Sequence, residues 1–482
     1  MEFPEKCKPL SVFKYFEALS SVPHGSGNTK AISDICVEFA KRRGLLCYHD
    51  EYNNVVIYKE GSAGRENEEP VIIQGHLDMV CAKHPDDPMD MSVEPIKLVV
   101  DGDYLRAEKT SLGGDDTIAV AMALAILDSK TLSHPPIEAV FTTDEETGMF
   151  GAAGLDVSVL RGKRMLNIDS EEEGVFTAGC SGGMRANCEI PVVREKFGDG
   201  LVSYAVTVSG LLGGHSGCDI DKERGSSTRL ISRFLYKASK LLPLRLIDLQ
   251  GGEFDNVIPS KTTATVAVSG IDSDKFEKLA AEYDGIYKHE LSVSDPGVTL
   301  NACKSSGKGD TVTVKDTGKL LTALYIMPQG IQNMSSDIKG LVQTSLNMGI
   351  IKLEKDCLKY SFAVRSSVLS QKKELLDRIV AITELAGGSV STHGEYPGWE
   401  YKKVSPLRDA ALAAYRDVYG KEAVITATHG GLECGLFADK IPGLDCISYG
   451  PELHDIHSVN ERLGIASVKR VYDLTCRILE LI

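Results

Sequence analysis

The chain lacks any apolar run near the roughly 20 residues that a membrane-spanning helix requires. Its 12 cysteines include no C-x-x-C pair, so zinc-ribbon and thioredoxin-type sites have no support. The opening MEFPEKCKPLSVF has neither the basic start nor the apolar stretch of a secretory leader. Many thiols without an export signal predict a reducing, cytoplasmic setting. Positive charge is also short: 53 Lys and Arg against 68 Asp and Glu leave a net charge of −15. That balance argues against nucleic acid or an anionic membrane as the main partner. There is no repeat at solenoid periods and no low-complexity tract.

What is present is an ordinary globular balance, 43% hydrophobic and 25% charged over 482 residues, long enough for two or more domains. The first third alternates helices with apolar strands. PLSVFKYFEALSSV and NTKAISDICVEFAKRRG read as helices, and NNVVIYKE, PVIIQGH, IEAVFTTDE and KRMLNIDS as strands of a sheet covered on both faces. TIAVAMALAILDSK is a strongly apolar helix between two of them, and VVDGDYL predicts a hairpin near 98–107. From about 187 to 392 the texture changes to alternating strands and amphipathic helices, as in VSYAVTVSG and STRLISRFLYKASKLL. After that, SPLRDAALAAYRDVYG and LDCISYG resume the first pattern. The predicted class is α/β: a domain from 1–186 and 393–482 with a central, mostly parallel sheet flanked by helices, and an inserted α+β domain over 187–392.

The polar residues gather where strands end. VIIQG leads to His76, AVFTT to Asp144, Glu145 and Glu146, MLNI to Asp169, and CISYG to His457 after a short loop. The crevice beyond such strand ends is where open α/β sheets bind ligands. Asp115, in SLGGDDTIAV, opens the apolar helix at the same end. Each feature alone has an ordinary reading as a strand-end histidine, a helix cap or a solvated loop. Together, two histidines and three carboxylates suit zinc, with cobalt or manganese as substitutes. Five ligands are awkward for one tetrahedral ion and fit two ions about 3.5–4 Å apart sharing a carboxylate. Two cations also answer the repulsion among residues 144–146.

GHLDMV, GGDDT, TTDEETG, NIDSEEEG, GGHSG and HSVNE, in this order, resemble the co-catalytic zinc peptidases that include carnosinases, aminoacylases and glutamate-releasing carboxypeptidases. DGDYLRAEKTSLGGDD, DSEEEGVFTAGCSGG, EYPGW, HGGLECGLF and YGPELHDIHSVNE are similar to the aminoacyl-histidine dipeptidase branch of that family. The resemblance implies a zinc-exopeptidase fold whose inserted domain serves as lid and dimerisation domain. It implies that His76 and Asp169 hold one metal, Glu146 and His457 the other, and that Asp115 bridges them. Asp78 would orient the His76 imidazole. Glu145 would act as general base, taking a proton from a di-zinc-bridged water and passing it to the leaving amine. Asp115-Asp116 is similar to a tight peptide of the family.

For the inserted domain the resemblance implies that His215 stabilises the oxyanion, from its own or a partner's lid, and that Arg365 clamps the substrate carboxylate. Asn256 would be a further polar contact. Glu433 would either hold the substrate ammonium or serve as a core hydrogen-bonding group. His429 and His454 would be neighbours of the site rather than ligands, and His454 is the rival to His457. Two departures stand out: CDIDKERGSST follows GGHSG where relatives often carry Gly-Asn, and GGDDT replaces a common ADN form. The activity implied is hydrolysis of unblocked dipeptides, β-Ala-His and broader ones, by a chain that pairs with itself through the lid. The alternatives are a tripeptidase or N-acyl amino acid deacylase, and a non-catalytic metal-binding descendant.

Overall fold

The structure, a computed structural model, describes residues 3–307 and 309–482. The apolar runs of the first third become β1 (Leu46–His49), β2 (Val55–Lys59), β3 (Val71–His76), β6 (Ile137–Thr142), β7 (Arg164–Asn167) and β8 (Val175–Cys180). With Val424–Thr428 and Asp445–Ser448 they form an eight-stranded sheet in the order β1, β2, β6, β3, β7, 445–448, β8, 424–428. The central strands β6, β3, β7 and 445–448 run parallel, while β1 and β2 add antiparallel pairs at one side. Every residue of β3 and β6 is buried, as expected where helices cover both faces. β4 (Leu98–Asp101) and β5 (Tyr104–Ala107) make the hairpin, and β5 also pairs with Arg462–Gly464.

α1 (Leu10–Leu19) and α2 (Lys30–Arg43) each lay an apolar stripe on the core, and α2 ends on the left-handed Gly44. α3 (Gly114–Asp128) is apolar all round, and Thr117–Leu127 are buried throughout. Its first turn is irregular. Gly113 is left-handed, the Asp115-Asp116 peptide is cis, and both aspartates have non-helical backbones. Gly75 lets this turn approach β3: a Cβ there would lie 2.6 Å from Ala119 Cβ and from Asp116 Oδ2.

The chain divides into two compact units. One comprises the chain up to Gly179 with Tyr401–Ala427 and Leu432–Ile482; the other is Cys180–Glu400 with Thr428–Gly431. The second contains a nine-stranded sheet, its described pairings antiparallel, with helices Ser227–Leu241, Ser273–Glu290, Val314–Ile326 and Leu369–Leu385. Its core includes Tyr204, Phe234, Phe276, Tyr287 and Phe362. This unit is wider than 187–392 because β9 (Gly182–Pro191) starts in the glycine-rich CSGG, and Gly183 pairs with Tyr396. Glycines weaken a strand pattern in sequence, yet here they are required. A Cβ on Gly182 would lie 2.5 Å from the Gly398 nitrogen.

Phe141 is fully buried in β6. Phe141→Ala should destabilise the first unit by about 3–5 kcal/mol, seen as a lowered transition in differential scanning calorimetry. An unchanged transition would contradict this packing.

Candidate metal centre

Parallel register sets up the centre. His76 stands opposite Thr142, and Gln74 opposite both Val140 and Asn167, so β3, β6 and β7 finish at one level. The residues just beyond those ends converge. His76 Nε2 lies 3.1 Å from Asp115 Oδ1 and 3.6 Å from Asp169 Oδ1. His457 Nε2 lies 3.2 Å from Asp115 Oδ2 and 2.9 Å from Glu146 Oε1. The two oxygens of Asp115 thus face the two histidines, one each.

Two sets of ligand-capable atoms lie within 4.8 Å of one another: those of His76, Asp115 and Glu146, and those of His76, Asp116 and Asp169. From the sequence, Asp116 stands out only as part of the tight Asp115-Asp116 peptide and not as a ligand. It is buried, and its Oδ2 accepts the His76 backbone N–H at 3.2 Å. A second aspartate following a helix-capping one carries no sequence signal of its own. Only the irregular first turn of α3 brings it against β3.

Asp78 faces the His76 imidazole and also serves a second purpose. His76 Nδ1 is 2.9 Å from the Asp78 backbone carbonyl and 3.5 Å from its carboxylate. The fully buried carboxylate also accepts from Ser26 Oγ at 2.8 Å, from the Glu145 N–H at 3.1 Å and from the Glu146 N–H at 3.4 Å. It therefore fixes the backbone that carries the acidic pair. Asp144 shapes the same turn: it has a left-handed backbone, and its Oδ1 accepts the Gly27 N–H at 2.5 Å.

Electrostatics show what this crowding demands. Burial raises the Glu145 pKa to about 9, with Asp169, Glu433 and Glu146 adding to the rise and His76 opposing it. Burial likewise lifts Asp169 to about 6 and Asp116 well above the usual carboxylate range. His457 is pushed up to about 10 by its hydrogen bonds to Asp115 and Glu146. Burial alone would lower His76, but Asp115, Asp169 and Asp78 override it and raise it. Burial disfavours the Asp115 charge, yet His457 and His76 hold its pKa below the ordinary value. Among the described residues, the ion pairs of Asp115, Glu146 and Asp169 are with histidine alone. The cluster therefore draws positive charge onto the two imidazoles, and divalent cations would supply that charge with the histidines neutral.

Glu433 is fully buried. Its Oε2 accepts from Gln74 Nε2 and from Thr142 Oγ1, both at 2.6 Å. These bonds fit the core hydrogen-bonding alternative for Glu433. Burial raises its pKa to about 7. His454 lies apart from the cluster, 3.5 Å from Glu452 Oε1 and edge-on to Tyr104, so His457 is the histidine that reaches Asp115.

The remaining candidates belong to the second unit. His215 and Gly214 pair with Val257 and Ile258, and the Ser216 N–H donates to the Asn256 carbonyl at 2.8 Å. Asp219 Oδ2 accepts the His215 N–H at 2.8 Å. A Cβ on Gly217 would be 3.0 Å from His215 Cε1 and 3.3 Å from Arg365 Cζ, so Gly217 lets the imidazole and guanidinium come together. Arg365 is buried and donates to Tyr396 Oη at 3.1 Å. Burial, then the Arg365 charge, lower the His215 pKa. His429 is buried with Nε2 2.7 Å from Ser345 Oγ, and burial with Arg365 takes its pKa down to about 3.

Comparison with known proteins agrees with this arrangement. Residues 72–481 match peptidase family M20/M25/M40. The chain is 34% identical over 472 residues to the cytosol non-specific dipeptidase of Escherichia coli (strain K12), covering 98% of this chain and 97% of that one. It superposes on an aminoacylhistidine dipeptidase from Vibrio alginolyticus with a TM-score of 0.94 at 34% identity, covering 99% and 97% of the two chains. A Staphylococcus aureus tripeptidase shares the fold at a TM-score of 0.54 and 17% identity, with coverage of 98% and 97%.

Asp78→Ala should weaken divalent-metal binding by about 10–100-fold, measured by competition with a chromogenic chelator. Wild-type affinity in a folded variant would contradict the positioning role.

Proposed function

The chain belongs to peptidase family M20/M25/M40, and from that premise we propose that it is a metal-dependent dipeptidase cleaving unblocked dipeptides, Xaa-His among them. The observation that carries this reading is the convergence of His76, Asp115, Glu146, Asp169 and His457 beyond the parallel strand ends. The names of the two 34%-identical relatives support the substrate class.

The donor set fits two divalent cations, with zinc the best match and cobalt or manganese as substitutes. His76 and Asp169 would hold one, Glu146 and His457 the other, and Asp115 both. When bound, the cations polarise the scissile carbonyl and acidify the attacking water. Glu145 takes the proton from that water and delivers it to the leaving amine. Burial and its acidic neighbours raise its proton affinity, which suits a group that must both accept and release a proton. Asp78 keeps Glu145 and Glu146 in separate roles by holding both of their amides.

In the second unit, Arg365 offers a guanidinium fork for the C-terminal carboxylate of the substrate. His215 donates a hydrogen bond to the oxyanion of the tetrahedral intermediate, and Asn256 adds a polar contact beside it. A cytosolic setting fits the twelve cysteines and the name of the E. coli relative. A homodimer through the inserted unit completes the proposal, supported by the exposed apolar Leu212 and Phe254.

A panel of β-Ala-His, ordinary dipeptides, a tripeptide and an N-acetyl amino acid tests the substrate class. Dipeptides should be cleaved, and a chelator should abolish that activity; turnover of acylated amino acids alone would overturn the reading. Glu145→Ala should lower kcat by about a hundred- to ten-thousand-fold with KM little changed. A kcat near wild type would remove Glu145 as the base.

A further inference from the structure

Glu461 is 2% exposed and has no lysine or arginine ion pair among the described residues. Its charge is met by backbone instead. Oε2 accepts the N–H groups of Leu112 at 2.7 Å and Gly113 at 3.0 Å, and Oε1 those of Gly114 at 2.7 Å and Asp115 at 3.3 Å. Four consecutive amides can face one carboxylate only if the chain curls around it, a concave anion cradle. Gly113 supplies the curl with its left-handed φ of 66°. Gly114 supplies the room: a Cβ there would lie 2.6 Å from Leu453 Cδ2 and 3.2 Å from Glu461 Oε1. The two glycines of LGGD are thus explained by a carboxylate some 350 residues away in sequence.

The loop that carries Glu461 also carries His457. Ser458 Oγ donates to the Asp455 carbonyl at 2.6 Å, the Asn460 N–H donates to Ser458 Oγ at 3.1 Å, and the Glu461 N–H donates to the Ser458 carbonyl at 3.2 Å. Arg462–Gly464 then pairs with β5. Asp115 is consequently gripped twice by one short segment, at its backbone N–H by Glu461 and at its Oδ2 by His457 Nε2 at 3.2 Å.

We propose that Glu461 is a positioning residue that locks the Asp115 turn to the His457 loop and so sets cation affinity and turnover without touching cation or substrate. This rests on the metal-centre reading above. It differs from a plain core role, in which the buried hydrogen bonds stabilise the fold and leave cation binding untouched.

The test uses cobalt(II) on the full chain, wild type beside Glu461→Gln and Glu461→Asp. Binding is read by chelator competition and by visible d–d absorption, and activity by kcat and KM separately. Wild type taking up no cobalt would remove the metal-centre reading itself. If wild type binds, the expected result for Glu461→Gln is affinity lower by about 10–100-fold, an altered absorption spectrum and reduced kcat at unchanged KM. The shorter Glu461→Asp should be intermediate. A folded Glu461→Gln with wild-type affinity, spectrum and kcat overturns the proposal. Should the glutamine variant not fold, the aspartate variant decides by the same two outcomes. If both fail to fold even without metal, Glu461 is a core element alone, and the proposal falls.

Discussion

Mutual repulsion among buried carboxylates is the constraint on which this molecule turns. Asp115, Asp116, Glu145, Glu146 and Asp169 crowd the level ends of three parallel strands, and few of them are open to water. Such a cluster persists only with compensating positive charge. In the chain alone, His76 and His457 gather that charge, with pKa values pushed upward by the acids around them. Two divalent cations would take it over and free the imidazoles to act as neutral ligands. The sheet, the apolar α3 and the glycines that let α3 approach β3 all serve to hold this arrangement.

Much of it is legible in the sequence because parallel strands buried on both faces leave long apolar runs. A histidine or carboxylate at the end of such a run is conspicuous, which is how His76, Glu146, Asp169 and His457 stand out. The apolar α3 is legible for the same reason, and the hairpin at β4 and β5 from its Asp-Gly turn. What escapes has no local signature. Asp116 gains its place from a backbone turn, and the Asp78 carboxylate serves the amides of Glu145 and Glu146 more closely than the imidazole two residues away. Glu461 looks like one more charged residue of HSVNE until the fold sets it inside four amides. The edges of the second unit are blurred because its first strand begins with glycines.

That unit repeats the principle with opposite charge. Arg365, Arg185, His215 and His429 stand near one another, and burial, with the Arg365 charge adding to it, lowers the pKa of both imidazoles. Asp255 answers Arg185 at 2.6 Å, while Arg365 has the Tyr396 hydroxyl. Among the described residues the buried Arg365 guanidinium has no carboxylate ion pair, a setting that suits an anionic ligand. One unit thus gathers negative charge, and the other holds a buried arginine beside two histidines.

On this reading the chain works only with its acidic cluster neutralised by two cations. The most direct measurement titrates metal-free protein with zinc while following hydrolysis of a dipeptide. Activity absent without metal and saturating at two equivalents per chain is the predicted result. Full activity in rigorously metal-free protein, or saturation at a single equivalent, would contradict it.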